Sequence, residues 1–159
     1  MKHLFRDSEF LNSPGQANTS LMLAAGDEDF EDVRQLIESG NNINVKNVHG
    51  QTALDWAANF AQNDMENAIR IIDLLLNHRA DINAQDNQGI TALMHAASRG
   101  NLVLLRHLLQ RGADPNLRRD DGSPEGATVI TFLESAPSLR RGRKKVIKTL
   151  EAAGGTRNK

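Results

Sequence analysis

The chain has 159 residues, 39% of them apolar and 25% charged, with a formal net charge of −1. That length fits one domain, and the composition is that of a folded globular chain, not a disordered one. No apolar run nears the ~18–20 residues of a membrane span, and the absence of Cys excludes a disulfide framework, a thiol nucleophile and a Cys-bearing zinc site.

The near-neutral total hides an asymmetry. Residues 1–98 carry six Lys/Arg against fourteen Asp/Glu, a balance of −8, whereas residues 99–159 carry thirteen against six, a balance of +7. At the N-terminus, Lys2, Arg6 and Asp7 place charge where a signal peptide needs apolar residues, so no secretion signal is expected and a cytoplasmic location is. Residues 1–17 contain Leu4, Phe5, Phe10 and Leu11 before Ser13-Pro14-Gly15. They read either as a short helix shielding the next element's apolar face or as a disordered lead-in.

From residue 18 onward the chain repeats itself. Thr19-Ser-Leu-Met-Leu-Ala-Ala25 recurs as Thr52-Ala-Leu-Asp-Trp-Ala-Ala58 and as Thr91-Ala-Leu-Met-His-Ala-Ala97. In phase with it, Leu36-Ile-Glu-Ser-Gly-Asn-Asn-Ile-Asn44 recurs at 75–83 and 108–116, and Gly50, Gly89 and Gly122 close the units. Each Thr is placed to cap a short Ala-rich helix, and the Ala pairs let a neighbouring helix come close. A second helix follows in each unit, with apolar stripes at Val33, Leu36, Ile37; at Ile69, Ile72, Leu75, Leu76; and at Leu102, Leu105, Leu108, Leu109. Gly40 and Gly112 are expected to stop it in the left-handed conformation, while Arg79 stands in the equivalent place. The Asn/Asp- and Gly-bearing stretch after it reads as an extended turn.

The three linked blocks resemble the ankyrin repeat, with its 33-residue period and Thr-Pro-Leu-His-x-Ala signature. The resemblance implies an all-α ankyrin-repeat α-solenoid of about four helix-turn-helix units with short β-hairpin-like turns. The units fall at about 18–50, 51–89, 90–122 and a degenerate 123–159, in which Thr128 heads the first helix and Val146–Gly155 supplies the second helix and its stop. The sequence departs from the signature at Ser20, Ala53 and Ala92 in place of Pro, and at Met22, Asp55 and Met94 in place of His. The hydrogen bonds of that His are therefore in doubt. Unit two is six residues longer between Ala58 and Ile69; Asp64 can cap a longer second helix through Met65, Ala68, Ile69 and Ile72, and the insertion is expected in a longer helix-to-helix connection.

No catalytic constellation emerges. His3, His49, His78, His95 and His107 show no metal-ligand spacing on one helix, and neither a phosphate loop nor a nucleophile elbow is present. No enzyme, cofactor or metal is expected. A solenoid repeats equivalent positions on one concave face, and the resemblance implies protein binding there. The implied contacts are the turn tips Asn47, Val48, His49, Gln51, Asn87, Gln88 and Ile90, and the helix-side Asn59, Phe60, Ser98 and Arg99. Val48, Phe60 and Ile90 are apolar where exposure is expected, which suits a contact patch. Trp56 aligns with Leu23 and His95 and reads as core, with a binding hot spot as the alternative.

Two charged runs remain. Asp27–Asp32 suits the start of a second helix, where acids are favoured. Arg140, Arg141, Arg143, Lys144 and Lys145 are a possible electrostatic contact for an acidic partner or nucleic acid, with a solvated loop as the plain reading. The acidic remainder of the chain and the lack of interleaved aromatics argue against nucleic acid. The expected function is non-enzymatic protein binding by a monomer, or, more specifically, an immunity- or inhibitor-type protein occluding a toxin or enzyme. Nucleic-acid binding through 140–145 is the remaining alternative.

Overall fold

The computed structural model describes residues 18–61, 64–120, 122, 126–135 and 142–157. The segment 1–17 therefore lies outside the described residues, as do Arg140 and Arg141. Among the described residues the helices come in pairs: α1 (Ser20–Gly26) with α2 (Phe30–Glu38), α3 (Ala53–Phe60) with α4 (Met65–Asn77), α5 (Ala92–Ser98) with α6 (Leu102–Gln110), and α7 (Val129–Ser135) with α8 (Arg143–Ala152). Before α7, strands β1 (Arg118–Arg119) and β2 (Ala127–Thr128) form a minimal antiparallel ladder, Arg118 opposite Thr128.

The helix starts follow from side-chain oxygens that satisfy amides the helix itself leaves unpaired. Thr19, Thr52, Thr91 and Thr128 each accept from the amide three residues on, at 3.2, 3.4, 3.3 and 3.4 Å. Asp29, Asp64 and Asn101 do the same for α2, α4 and α6, at 3.1, 3.0 and 3.1 Å. Glu31 and Asp32 follow in the first turn of α2, so the acidic run does mark a helix start.

The first helices α1, α3, α5 and α7 pack in a row in chain order, and so do the second helices α2, α4, α6 and α8. Between the two rows runs a continuous aliphatic seam. Leu21, Leu54, Leu93 and Ile130 enter it from the first row; Val33, Ile72, Leu75, Leu105, Leu108, Val146 and Leu150 enter it from the second, all buried. The alanines Ala25, Ala57, Ala58, Ala96 and Ala97 are 1% exposed or less, and their small side chains set the close approach. Each fully buried aliphatic side chain contributes about 1.5–3 kcal/mol, and none of the pairs could bury its stripe without its neighbours.

The longer second helix capped by Asp64 is present, but it, and not the connection, takes up most of the insertion in unit two. The connection from α3 to α4 spans only 61–64, while α4 has 13 residues against nine in α2 and nine in α6. The apolar spacing explains the correction: Ala68, Ile71, Ile72 and Leu75 make one buried stripe, so adding helix buries side chains where adding loop would leave backbone unpaired. The start of α4 is also tied to unit one, because the Asp64 amide donates to Glu28 Oε2 at 2.7 Å.

The second helices end in a shared motif. Gly40 (φ 86°) and Gly112 (φ 95°) are left-handed, and the next amide reaches back to Leu36 or Leu108. Arg79 adopts the same conformation at φ 68° despite its side chain, with Ala80 N donating to Leu75 O at 2.9 Å.

Polar groups stitch neighbouring units together at two levels. Asn44 accepts from Asp81 N at 2.9 Å and donates to Arg79 O at 3.0 Å. Asn83 accepts from Asp114 N at 2.9 Å, and Asn116 accepts from Thr156 N at 2.8 Å while donating to Gly154 O at 3.0 Å. Farther out the turn tips join: Asn87 N donates to His49 O at 2.9 Å and Asp120 N to Gln88 O at 2.7 Å. This contact requires Gly50 and Gly89, both at positive φ. A Cβ at Gly50 would lie 2.7 Å from Asn87 N, and one at Gly89 2.8 Å from Arg118 O.

Two stability measurements check this fold. Arg79→Gly removes left-handed strain from an exposed position and should raise stability by about 1 kcal/mol, seen as a higher urea midpoint at unchanged slope. Gly89→Ala adds both strain and a backbone clash and should lower stability by roughly 2 kcal/mol or more; an unchanged midpoint would contradict the close approach of the tips.

Candidate protein-binding face

The first helices point the residue four after each capping Thr away from the seam. These residues are Leu23, Trp56, His95 and Phe132, one per unit. Leu23 is 38% exposed, and the other three are half-buried. One turn along, Phe60 is 39% exposed, and its ring stacks on Trp56 with centroids 5.1 Å apart and planes tilted by 39°. Both rings lie against Gly26 at the end of α1, where a Cβ would come within 2.9 Å of Trp56 and 3.5 Å of Phe60. Trp56 Nε1 donates to Gln51 Oε1 at 3.3 Å. The indole thus packs its body against the core while keeping an edge on the surface.

The tip residues divide by role. Asn47 is buried, contrary to its expected place among exposed contacts. Its Oδ1 accepts from His49 N and Gln51 N, each at 2.9 Å, and its Nδ2 donates to Asn18 Oδ1 at 3.0 Å. An Asn that satisfies two amides of its own turn is consumed in building that turn. Ile90 is likewise only half-exposed and packs against the core. Val48, at 49%, and His49 are exposed, as are Asn87 and Gln88; Gln51 is half-buried. Asn87 also spends its side-chain amide on Val48 O at 3.0 Å.

On the helix side, Asn59 and Arg99 meet across units: the Arg99 guanidinium donates to Asn59 Oδ1 through Nε and Nη2 at 3.0 and 2.9 Å. Ser98 turns back onto His95 O at 3.0 Å. The structure therefore brings Phe60, Asn59 and Arg99 together at one rim and Val48, His49, Asn87 and Gln88 along the tips.

The basic run is partly absorbed by the fold. Arg143 Nη1 donates to Leu133 O at 3.2 Å and so caps the end of α7 instead of facing solvent. Lys144 and Lys145 stand exposed on α8.

Three groups on or below this face matter and were not singled out as contacts by sequence. Leu23 aligns with Trp56 and His95, a position that reads as core in the sequence, yet it is 38% exposed. Arg119 stacks its guanidinium 4.2 Å above the Phe132 ring while its Nε has no partner. Asp55, in the signature's His position, is buried and accepts from Thr52 N and Thr52 Oγ1, each at 2.8 Å. Burial raises its carboxyl to about 6, against the pull of those two hydrogen bonds. His95 is lowered, chiefly by burial and in part by Arg99 and Arg119, against the opposing pull of Asp86.

Among the described residues no cluster of three or more His, Asp or Glu could hold a metal, and no helix is long and apolar enough to cross a membrane.

A family profile described as "Ankyrin repeats (3 copies)" matches residues 21–119. The chain belongs to the ankyrin-repeat family, whose repeats are generally protein-interaction modules. Among similar proteins, the Ankyrin repeat and SAM domain-containing protein 6 of Rattus norvegicus is 37% identical over 95 residues, covering 58% of this chain and 10% of that protein. The BCL-6 corepressor-like protein 1 of Mus musculus is 34% identical over 103 residues, 63% of this chain and 6% of its own length. The E3 ubiquitin-protein ligase Ufd4 of Drosophila melanogaster is 33% identical over 129 residues, 80% of this chain and 4% of its own. The chain thus spans a tenth or less of these relatives.

A pH series tests the buried carboxyl. A native-state pKa raised from 3.8 to about 6 means the folded chain holds this proton more tightly than the unfolded chain. The contribution to stability is therefore full below pH ~4 and lost as pH rises through ~6. Asp55→Asn keeps the acceptor without the charge. It should stabilise the protein at pH 7.5 by on the order of 2 kcal/mol and do little at pH 4, read from thermal melts; parallel pH profiles for both proteins would refute this.

Proposed function

We propose that this chain is a non-enzymatic module that binds a protein partner through the concave face formed by its first helices and turn tips. The supporting observation is that Leu23, Val48 and Phe60 remain 38–49% exposed on that face, although the seam buries the aliphatic residues beside them. Half-exposed aromatic and aliphatic groups beside hydrogen-bonding tips are what a protein interface needs: an apolar centre with a polar rim.

The same face would serve an inhibitor- or immunity-type protein that occludes an enzyme, in which case bound enzyme would lose activity. A nucleic-acid reading through the basic run has less support, because Arg143 is turned onto the end of α7.

The test is affinity capture from cells of the source organism with the immobilised chain. Phe60→Asp should abolish retention of the partner, with affinity falling at least tenfold, while the helical circular dichroism is kept and the melting temperature falls only by the loss of the ring contact with Trp56. Lys144→Ala with Lys145→Ala should leave retention intact. If the lysine pair abolished capture and Phe60→Asp did not, the concave-face reading would be wrong.

A further inference from the structure

The binding face is chemically polarised along the solenoid. At its unit-one and unit-two end the surface group of Leu23, Trp56 and Phe60 is followed along the chain by exposed acids just past α1 and α3. Asp27 directly follows Gly26, on which both rings rest, and Asp64 lies four residues beyond Phe60; both are exposed. Each is at the same end of its first helix, where the chain turns into the second. Among the described residues neither carboxylate forms an ion pair, and that of Asp64 caps α4. At the unit-three and unit-four end the same face carries cations instead. Arg99, one helix step from Phe60, bonds the neutral amide of Asn59 and has no carboxylate partner among the described residues; farther on, Arg119 lies on the Phe132 ring with its Nε unpartnered. Both guanidiniums act on His95, which lies between the two ends in the row Leu23, Trp56, His95, Phe132. The overall split of −8 for residues 1–98 and +7 for 99–159 points the same way.

We propose that the face is built for an extended partner segment of fixed polarity: a large apolar anchor flanked by Lys or Arg seated on Leu23, Trp56 and Phe60, and an Asp or Glu meeting Arg119. This rests on the concave-face binding reading and adds the chemistry of the partner to it. The spacing follows from the packing. From α3 to α7 is two helix steps of about 8–10 Å each, a span that five or six extended residues cross. The cationic end costs little to engage, since an arginine already laid flat on an aromatic ring has lost part of its side-chain freedom before the carboxylate arrives. Opposite potentials at the two ends also favour one direction of docking over its reverse.

The chain's single tryptophan reports on the anchor site. The experiment selects binders from a phage-displayed random dodecapeptide library on the full chain, then titrates the synthetic consensus, chosen without Trp, while recording Trp56 emission. The expected peptides carry a basic-flanked apolar anchor and, five or six residues away on one constant side, an acid. Their binding shifts Trp56 emission, and exchanging the two charge types weakens it at least tenfold. Arg119→Glu weakens the consensus tenfold or more and regains affinity for a peptide whose acid is replaced by Lys. Enriched peptides with no constant charge order, peptides that leave Trp56 emission unmoved, or no enrichment above an uncoated control would each overturn the proposal. Capture of a native partner that depends on Phe60 but is indifferent to Arg119→Glu would overturn the polarity and leave the binding reading standing.

Discussion

Every other feature of this protein depends on the contact between one helix pair and the next. A pair such as α1–α2 has one apolar stripe and no third element of its own to cover it, so the stripe is buried only by stacking. The alanine pairs make that stacking close, because a larger side chain at Ala57 or Ala96, each 1% exposed or less, would push the first helices apart and open the seam. The side chains of Asn44, Asn83 and Asn116 then fix the offset between units by bonding the backbone just past the next second helix. Burial supplies the attraction and the asparagines supply the register.

That division explains what the face can do. With the seam and the asparagine bonds holding the units, residues on the outer side of the first helices are less constrained by packing than those in the seam, although Trp56 and Phe132 still rest against the core. Leu23, Trp56, His95 and Phe132 occupy equivalent places yet differ completely in chemistry, whereas Leu21, Leu54, Leu93 and Ile130 in the seam are all large aliphatics. Positions less constrained by packing can diverge in chemistry without loss of the fold, and a row of them on one surface is what the proposed binding face is made of. The charge asymmetry gains meaning from the same geometry. Because the units are stacked in chain order, acidic early residues and basic late residues are held apart as two ends of a field that can orient an approaching partner.

Most of the fold was legible because its signals are local and repeated. The capping threonines, the Asp64 cap, the Gly40 and Gly112 stops and the left-handed Arg79 all follow from one residue and its near neighbours. What was hidden depends on contacts across units. Asn47 reads as a turn-tip contact, but only the closed turn shows its side chain bonding two amides of that turn. Ile90 reads as exposed, but in the fold it is half-buried and packs against the core. Arg143 sits in a basic run, and only the position of α7 turns it into a helix cap. The extra residues of unit two could have been loop or helix by count; the stripe through Ala68 and Ile72 decided it, and that signal was available in the sequence.

The central claim is that one face, made of first helices and tips, takes the partner while the second helices only support it. Hydrogen exchange of the full chain with and without its captured partner tests this most directly. The account expects slowed exchange at the tips around Val48–Gln51 and Asn87–Ile90 and at the helix ends around Phe60 and Arg99, with α4 and α6 unchanged. Slowed exchange confined to α4, α6 and α8, with the tips unaffected, would contradict it.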